Sequence, residues 1–529
     1  MMAWRDLNVT GSFDTVARRQ TLFDVLARSA ARSADKLAIA CGDTEWSYRQ
    51  LVDIVEEIAA GLTIQGIGPG DRVAVLSRNS HWFMAVRFAV LRAGGIFVPI
   101  NFMLVEDEVA YILEYAGVKT LFVDESCSIA GLAAAKRSGV THLYGLPDPF
   151  DRADISGVQS LSSLRGTDGV PVALDQLDGR QIAQIIYTSG TESRPKGAML
   201  SHDAIIWQFQ TCIVDCDWRA DVKALHALPL FHCAQLDAFL GPSLNVGGSN
   251  WIVSAPDPAV ILPTIEQHRL TSFFAPPTVW IALLRSPLFD QYDLSSLTHG
   301  YYGASIMPVE IIREISDRLP GIRLWNCYGQ TEIAPVAVVL QPEDQVRKAG
   351  AAGRPGLHVE TRLVDDDMRD VKPGEVGEIV HRSPQLLTGY WNDPERTAEA
   401  FAGGWFHSGD LGVIDDEGYI TVVDRKKDMI KSGGENVASR EVEEVIYSHP
   451  SVSEVAVIGL PHPEWIEMVS AFIVPRAGET IDDAALIAWC RERLAGFKSP
   501  KKIFVVPALP KNASGKIMKR ELRAKMGSL

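Results

Sequence analysis

Between residues 21 and about 340, stretches with helical spacing of apolar residues alternate with short apolar runs of strand type. That alternation admits few folds. Helices must cover the faces of mostly parallel sheets, which predicts an α/β layered core. Helical spacing is clearest at residues 21–31 and 48–65, and strand-type runs at 72–76, 96–100 and 181–187. Beyond residue 340 the texture changes. Turn strings such as Lys372-Pro373-Gly374-Glu375 and Asp415-Asp416-Glu417-Gly418 separate short alternating segments, which predicts a β-rich subdomain. A smaller unit follows, with a helix at 441–449 and a strand at 455–459, and the boundary falls at 424–427.

A chain of 529 residues exceeds one ordinary core, so more than one domain is expected. The net charge of −15 speaks against nonspecific nucleic-acid binding. The most apolar window, 84–100, is interrupted by Arg87, Arg92 and Gly94-Gly95, so it reads as a buried helix running into a strand and no transmembrane segment is expected. The first residues carry no apolar signal core, and seven scattered cysteines suit a reducing compartment, so a cytoplasmic protein is expected. Cys212 and Cys216 share a helix face without a second ligand pair and read as buried thiols. The string Gly66-Ile67-Gly68-Pro69-Gly70-Asp71 follows a helix and precedes a strand, the reverse of a dinucleotide fingerprint, and reads as a turn.

Several strings carry chemistry. After the strand at 181–187 comes Thr188-Ser189-Gly190-Thr191-Glu192-Ser193-Arg194-Pro195-Lys196-Gly197. It offers hydroxyls, cations and a glycine that exposes backbone N–H groups, all suited to a polyphosphate, but lacks the Gly-Lys-Ser/Thr ending of a Walker loop. In Tyr328-Gly329-Gln330-Thr331-Glu332 the carboxylate suits a hard divalent cation. In Ser408-Gly409-Asp410 it suits a vicinal diol, or else opens the hairpin at 415–418. Leu228-Pro229-Leu230-Phe231-His232, Asp424-Arg425-Lys426-Lys427 and Pro510-Lys511-Asn512-Ala513-Ser514-Gly515-Lys516 complete the set; alone, they also read as a core histidine, a solvated charge run and a basic tail.

In this order, together with Tyr302-Gly303-Ala304-Ser305 and Lys431-Ser432-Gly433-Gly434, these strings resemble the adenylate-forming superfamily of acyl-CoA synthetases, peptide-synthetase adenylation domains and firefly luciferase. The resemblance is closest to fatty-acyl-CoA synthetases. It implies a large N-terminal domain (1–424) with layered sheets, a hinge (425–427) pivoting at Lys427, and a small mobile α+β C-terminal domain (428–529). It implies ATP, Mg²⁺ and CoA, with a small carboxylic acid as the other substrate; a homodimer is left open. Thr188, Ser189, Gly190, Thr191, Lys196 and Thr331 would meet the phosphates, and Glu332 the metal. Gly303, Ala304, Ser305, Asn326, Tyr328 and Gly329 would line the nucleotide, with Tyr328 stacked on adenine. Asp410 would accept the ribose hydroxyls, Arg425 would lie beside ribose and phosphate, and Lys516 would catalyse adenylation. Phe231, His232, Tyr302 and Gly303 would bound the acyl group, and Lys431, Gly433 and Gly434 the CoA tunnel. Histidine at 232, where amino-acid-activating members carry aspartate, points to an acid without an α-amine. An aliphatic, short- to medium-chain acid is expected, with an aryl-CoA ligase or a carrier-loading adenylating enzyme as alternatives. The family's usual Thr-Gly at the middle of the phosphate loop is Glu192-Ser193 here; Glu192 either faces solvent or helps hold the metal.

Overall fold

The computed structural model describes residues 17–148, 155–173, 176–188, 195–305, 307–432, 435–463, 465–511 and 517–527. Helix starts are set by local chemistry. Thr21 accepts from the Asp24 N–H while the Asp24 carboxylate accepts from the Thr21 N–H, a reciprocal cap that opens Leu22–Ser33. Ser47 and Gln50 do the same for Tyr48–Ile64, and Ser80 caps His81–Arg92. Every residue of His81–Arg92 is buried, Arg87 and Arg92 included. A helix buried all round must lie inside the molecule. Its core cluster takes Val73, Val75 and Phe97 from one sheet and Ala38, Ile39 and Ile252 from another, so a helical layer sits between two sheets.

Among the described residues the strands form sheets of nine, eight, four and five. In the nine-stranded sheet, Lys223–His226, Ser272–Phe274, His299–Gly303 and Arg323–Gly329 run parallel as neighbours. Pro258–His268, Pro277–Arg285 and Val309–Arg318 pack on this sheet in a second apolar cluster. The eight-stranded sheet holds Arg72–Leu76, Ile96–Ile100 and Ile182–Thr188, with Glu106–Ala116 and Ser128–Ser138 packed against it. The β-rich texture beyond residue 340 resolves into the antiparallel strands Glu360–Val364, Gly377–Arg382, Phe406–Ile414 and Ile420–Arg425. The five-stranded unit, built on Val452–His462 and Ile466–Pro475, has its own core with the helix Ser439–Tyr447.

The string at 66–71 is a turn, with Gly66 and Gly70 at φ +82° and +85° between the helix Tyr48–Ile64 and the strand Arg72–Leu76. All seven cysteines are free and buried. No described helix is long and apolar enough to cross a membrane. The arrangement that matters for function is at the strand ends. Lys223–His226, His299–Gly303 and Arg323–Gly329 run in one direction, and their C-terminal ends lead into Leu228–His232, Ala304–Ser305 and Gln330–Glu332. Crevices beyond such carboxyl ends are where open α/β sheets bind ligands.

Candidate active site

The site is assembled from turns held by distant strands. The strand Arg323–Gly329 ends in a tight passage: a Cβ on Gly329 would stand 1.9 Å from the Pro335 carbonyl oxygen, so only glycine fits. Gly303 is confined in the same way, its Cβ position 2.3 Å from the Cys327 carbonyl oxygen. Ala304 follows at φ +64°, a backbone shape uncommon for a residue with a side chain, and is exposed with Ser305 at the strand's mouth.

Tyr328 and Asp410 come together across 82 residues of sequence. The Tyr328 hydroxyl donates to Asp410 Oδ2 (2.7 Å), and Arg425 Nε lies 3.1 Å from Asp410 Oδ1. Burial and the neighbouring Asp410 carboxylate push the Tyr328 phenol well above its ordinary range, so it stays a donor. A carboxylate has about four acceptor positions, and these two partners take two, which leaves capacity for a diol. Glu332 accepts from the Tyr390 hydroxyl at Oε1 (3.0 Å), and the Tyr390 ring faces Lys196 Nζ at 5.0 Å. The strip around Tyr390 also ties down the strand Lys196–Ser201: Thr388 N–H donates to the Met199 carbonyl and Trp391 N–H to the Gly197 carbonyl, both at 2.8 Å. One carboxylate plus phosphate oxygens suits Mg²⁺, so Glu332 fits the metal role.

The strip Leu228–His232, expected to bound the acyl group, lies against this turn. Phe231 is buried, its ring edge-on to Phe102 with centroids 5.5 Å apart. His232 Nδ1 accepts from the Ala234 N–H (3.1 Å), which places the neutral ring's proton on Nε2. The next residue, Cys233, has its sulfur 3.3 Å from Thr331 Oγ1, in direct contact with the turn that carries Glu332.

One assignment changes. Tyr302, expected at the acyl tunnel, points to the other side of its strand. Its ring is buried in the cluster of Trp280, Met307, Ile311 and Ile312, and its hydroxyl donates to Gln345 Oε1 (2.6 Å). Alternation along the strand decides this: Tyr301 takes the opposite face, stacked on Trp218 at 5.5 Å. Tyr302 is a core residue. Tyr302→Phe is expected to leave the acid profile unchanged while costing about 1–3 kcal/mol of stability through the orphaned Gln345 acceptor; thermal unfolding and an acid panel on the same protein check both halves. Asn326, expected at the nucleotide, is buried, and its amide donates to the Ala351 carbonyl (3.2 Å). Ser189, Gly190, Thr191, Glu192, Gly433, Gly434 and Lys516 lie outside the described residues.

At the expected domain boundary, Lys426 is still bound to the four-stranded sheet, its N–H on the Gly409 carbonyl and its Nζ 3.1 Å from Glu378. Asp428 pairs with Arg523 of the C-terminal helix at 2.9 Å, which leaves Lys427 between the two units. Burial and the nearby Arg425 guanidinium lower the Lys427 amine to about 8. The unfolded chain therefore holds more protons between pH 8 and the ordinary lysine value of 10.5, and Lys427's contribution to stability rises with pH across that window. Acetic anhydride at pH 8 is expected to label Lys427 ahead of other exposed lysines, read by peptide mass spectrometry; a labelling rate equal to theirs would contradict it. Lys431, on the strand Ile430–Ser432, is exposed.

Residues 26–391 match the AMP-binding enzyme family, and residues 441–516 match the AMP-binding enzyme C-terminal domain. The chain belongs to the AMP-binding enzymes. It is 39% identical to a feruloyl-CoA synthase of Amycolatopsis sp. over 96% of this chain and 100% of that protein. It is 33% identical to a long-chain-fatty-acid–CoA ligase of Bacillus subtilis, covering 95% of this chain and 94% of the relative. A solved anthranilate CoA ligase in complex with anthranoyl-AMP superimposes with TM-score 0.88 at 27% identity, over 97% of this chain and 98% of that one. This AMP-binding enzyme is an acid–thiol ligase of the AMP-forming kind. The expected preference for fatty acids does not follow from these relatives, since the aryl-named synthase is more similar than the fatty-acid ligase.

Proposed function

We propose that the protein joins an aromatic carboxylic acid to CoA in two ATP-dependent steps. The observation that carries this reading is the contact of Cys233 with Thr331 (3.3 Å), which brings the acid-binding strip against the phosphate turn. There an acid and the α-phosphate of ATP would meet. In the first step a carboxylate oxygen bonds to the α-phosphorus and pyrophosphate leaves, giving the acyl-adenylate. In the second the CoA thiolate attacks the acyl carbon and AMP leaves, its mixed-anhydride oxygen carrying away the electron pair.

Each group then has a role of position or charge. Tyr328 and Arg425 hold Asp410 with lone pairs toward the ribose. Tyr390 fixes Glu332, which would hold Mg²⁺; bound there, the ion would supply positive charge beside the phosphates. Lys516 would reach both anions during the first step and withdraw when the C-terminal unit turns about Lys427, bringing Gly433-Gly434 to the thiol's path. The aromatic class is favoured by the Phe231–Phe102 wall, where a flat ring finds edge and face contacts, and by the relative named feruloyl-CoA synthase at 39% identity.

The test is CoA-dependent AMP release over a panel of hydroxycinnamic, benzoic, arylacetic and C4–C16 aliphatic acids. The expected outcome is a kcat/KM for one aromatic class about tenfold or more above every aliphatic acid, the factor that 1.4 kcal/mol of added contact provides. An aliphatic optimum would overturn the aromatic assignment and restore the fatty-acid reading.

A further inference from the structure

The acid-binding strip runs directly into a stretch of π-helix, Ala234–Leu240. π-turns are rare and concentrate at functional sites, because the extra residue re-aims the side chains around it. Buried polar groups hold the approach to this segment. Asn79 donates to the Leu228 carbonyl and accepts from the Leu230 N–H, each at 2.8 Å. Gln235 accepts from the Leu228 N–H and donates to His226 Nδ1 (2.7 Å).

Deeper in the π-helix, Asp237 closes a ring of three side chains. Arg87 Nη2 donates to Asp237 Oδ1 (2.5 Å) and to Gln184 Oε1 (3.1 Å), and Gln184 Nε2 donates to Asp237 Oδ2 (2.6 Å). The Arg87 and Asp237 side chains are 1% and 0% exposed. The three residues come from three separate elements. Arg87 sits in the fully buried helix His81–Arg92, Asp237 in the π-helix, and Gln184 on the strand Ile182–Thr188 that leads into the phosphate loop.

Stability is a weak reason for such a ring. Desolvating two charges offsets most of their attraction, and well-packed apolar replacements are often at least as stable. Here Arg87 Nε and Nη1 have no hydrogen-bond partner among the described residues, so the pair is not even fully satisfied. What an ion pair supplies and an apolar trio does not is direction: it admits one rotation of the π-helix.

We infer that Arg87, Gln184 and Asp237 are positioning residues for acid selectivity, fixing the π-helix and thereby the aim of Phe231 and His232, and tying that strip to the strand that leads into the phosphate loop. The inference rests on reading Phe231–His232 as the acid site.

The experiment compares three variants of the full-length enzyme: Arg87→Met/Gln184→Leu/Asp237→Leu together, Gln184→Met alone, and Phe231→Ala as a control on the site. Each is measured for thermal unfolding, KM of ATP, and kcat/KM across the acid panel. The apolar triple variant is expected to fold and to lose about tenfold or more in the kcat/KM ratio between its best and second acid class, mainly through KM of the acid, as a shifted binding wall would cause. Gln184→Met, which keeps the ion pair, should move the same ratio in the same direction by less. If the triple variant does not fold, the single variant decides on that ratio. A folded variant with an unchanged ratio, alongside a Phe231→Ala protein whose ratio does shift, overturns the inference and leaves the site reading intact. No shift in Phe231→Ala would overturn the site reading, and the inference with it.

Discussion

Asp410→Ala is expected to lower kcat/KM for ATP by about a hundredfold, with most of the change in KM. The Asp410 carboxylate is 7% exposed and already held from two sides, by Tyr328 at 2.7 Å and Arg425 at 3.1 Å, so it does not need to be ordered when ATP arrives. Hydrogen bonds to a charged group contribute roughly 1.5–3 kcal/mol each, and a diol makes up to two. The truncation also strands the Tyr328 hydroxyl and the Arg425 guanidinium. A second nucleotide separates these effects. If Asp410 binds the ribose hydroxyls, 2′-deoxy-ATP should be penalised in the wild type and nearly unpenalised in Asp410→Ala, measured by ATP–pyrophosphate exchange. An equal penalty in both proteins would show that the aspartate only buttresses Tyr328.

Lys516→Ala is expected to slow adenylate formation by about 10²–10³-fold, the usual cost of removing one preorganised charge at a developing anion. Two anions must meet at phosphorus in the first step, whereas the second joins a thiolate to a neutral carbonyl. Thioester formation from supplied acyl-adenylate should therefore stay close to wild type. The two half-reactions are read separately, pyrophosphate exchange for the first and AMP release from purified adenylate for the second. Equal loss of both in a folded protein would sink the role given to Lys516.

The fold was legible wherever its determinants are local. Helical spacing at 21–31, and apolar runs such as Arg72–Leu76 and Ile96–Ile100, gave element type and bounds within a residue or two. Candidate site residues in short strings at strand ends, such as Tyr328 and Glu332, could be named from the sequence because each string is local. What was not legible depends on which side of a strand faces which neighbour. Tyr301 and Tyr302 are adjacent and chemically alike, and only the packing of Trp218 on one side and Trp280 on the other separates their fates. Partners far apart in sequence escaped as well. Tyr390 reaches Glu332 across 58 positions, and Arg87 reaches Asp237 across 150, with no local pattern to announce either. Asp237 carried a signal in hindsight: a lone acid inside an apolar run needs a buried cation somewhere.

One contact bears on the timing of catalysis. Asp424, at the end of the four-stranded sheet, accepts from both the N–H and the hydroxyl of Ser439 at 2.6 Å through one carboxylate oxygen, while Arg440 donates to the Val422 carbonyl at 2.7 Å. These bonds span the two units. If the C-terminal unit turns about Lys427, Ser439 must leave Asp424, giving up two charge-assisted bonds of roughly 1.5–3 kcal/mol each before any replacement forms. Without substrate the turned arrangement would then be a minor population, on the order of one molecule in a hundred or fewer, and the apparent affinity for CoA would be weakened by that same fraction. The chemistry of the first step would have to shift this equilibrium. Free enzyme would bind CoA about a hundredfold or more weakly than enzyme already holding an adenylate.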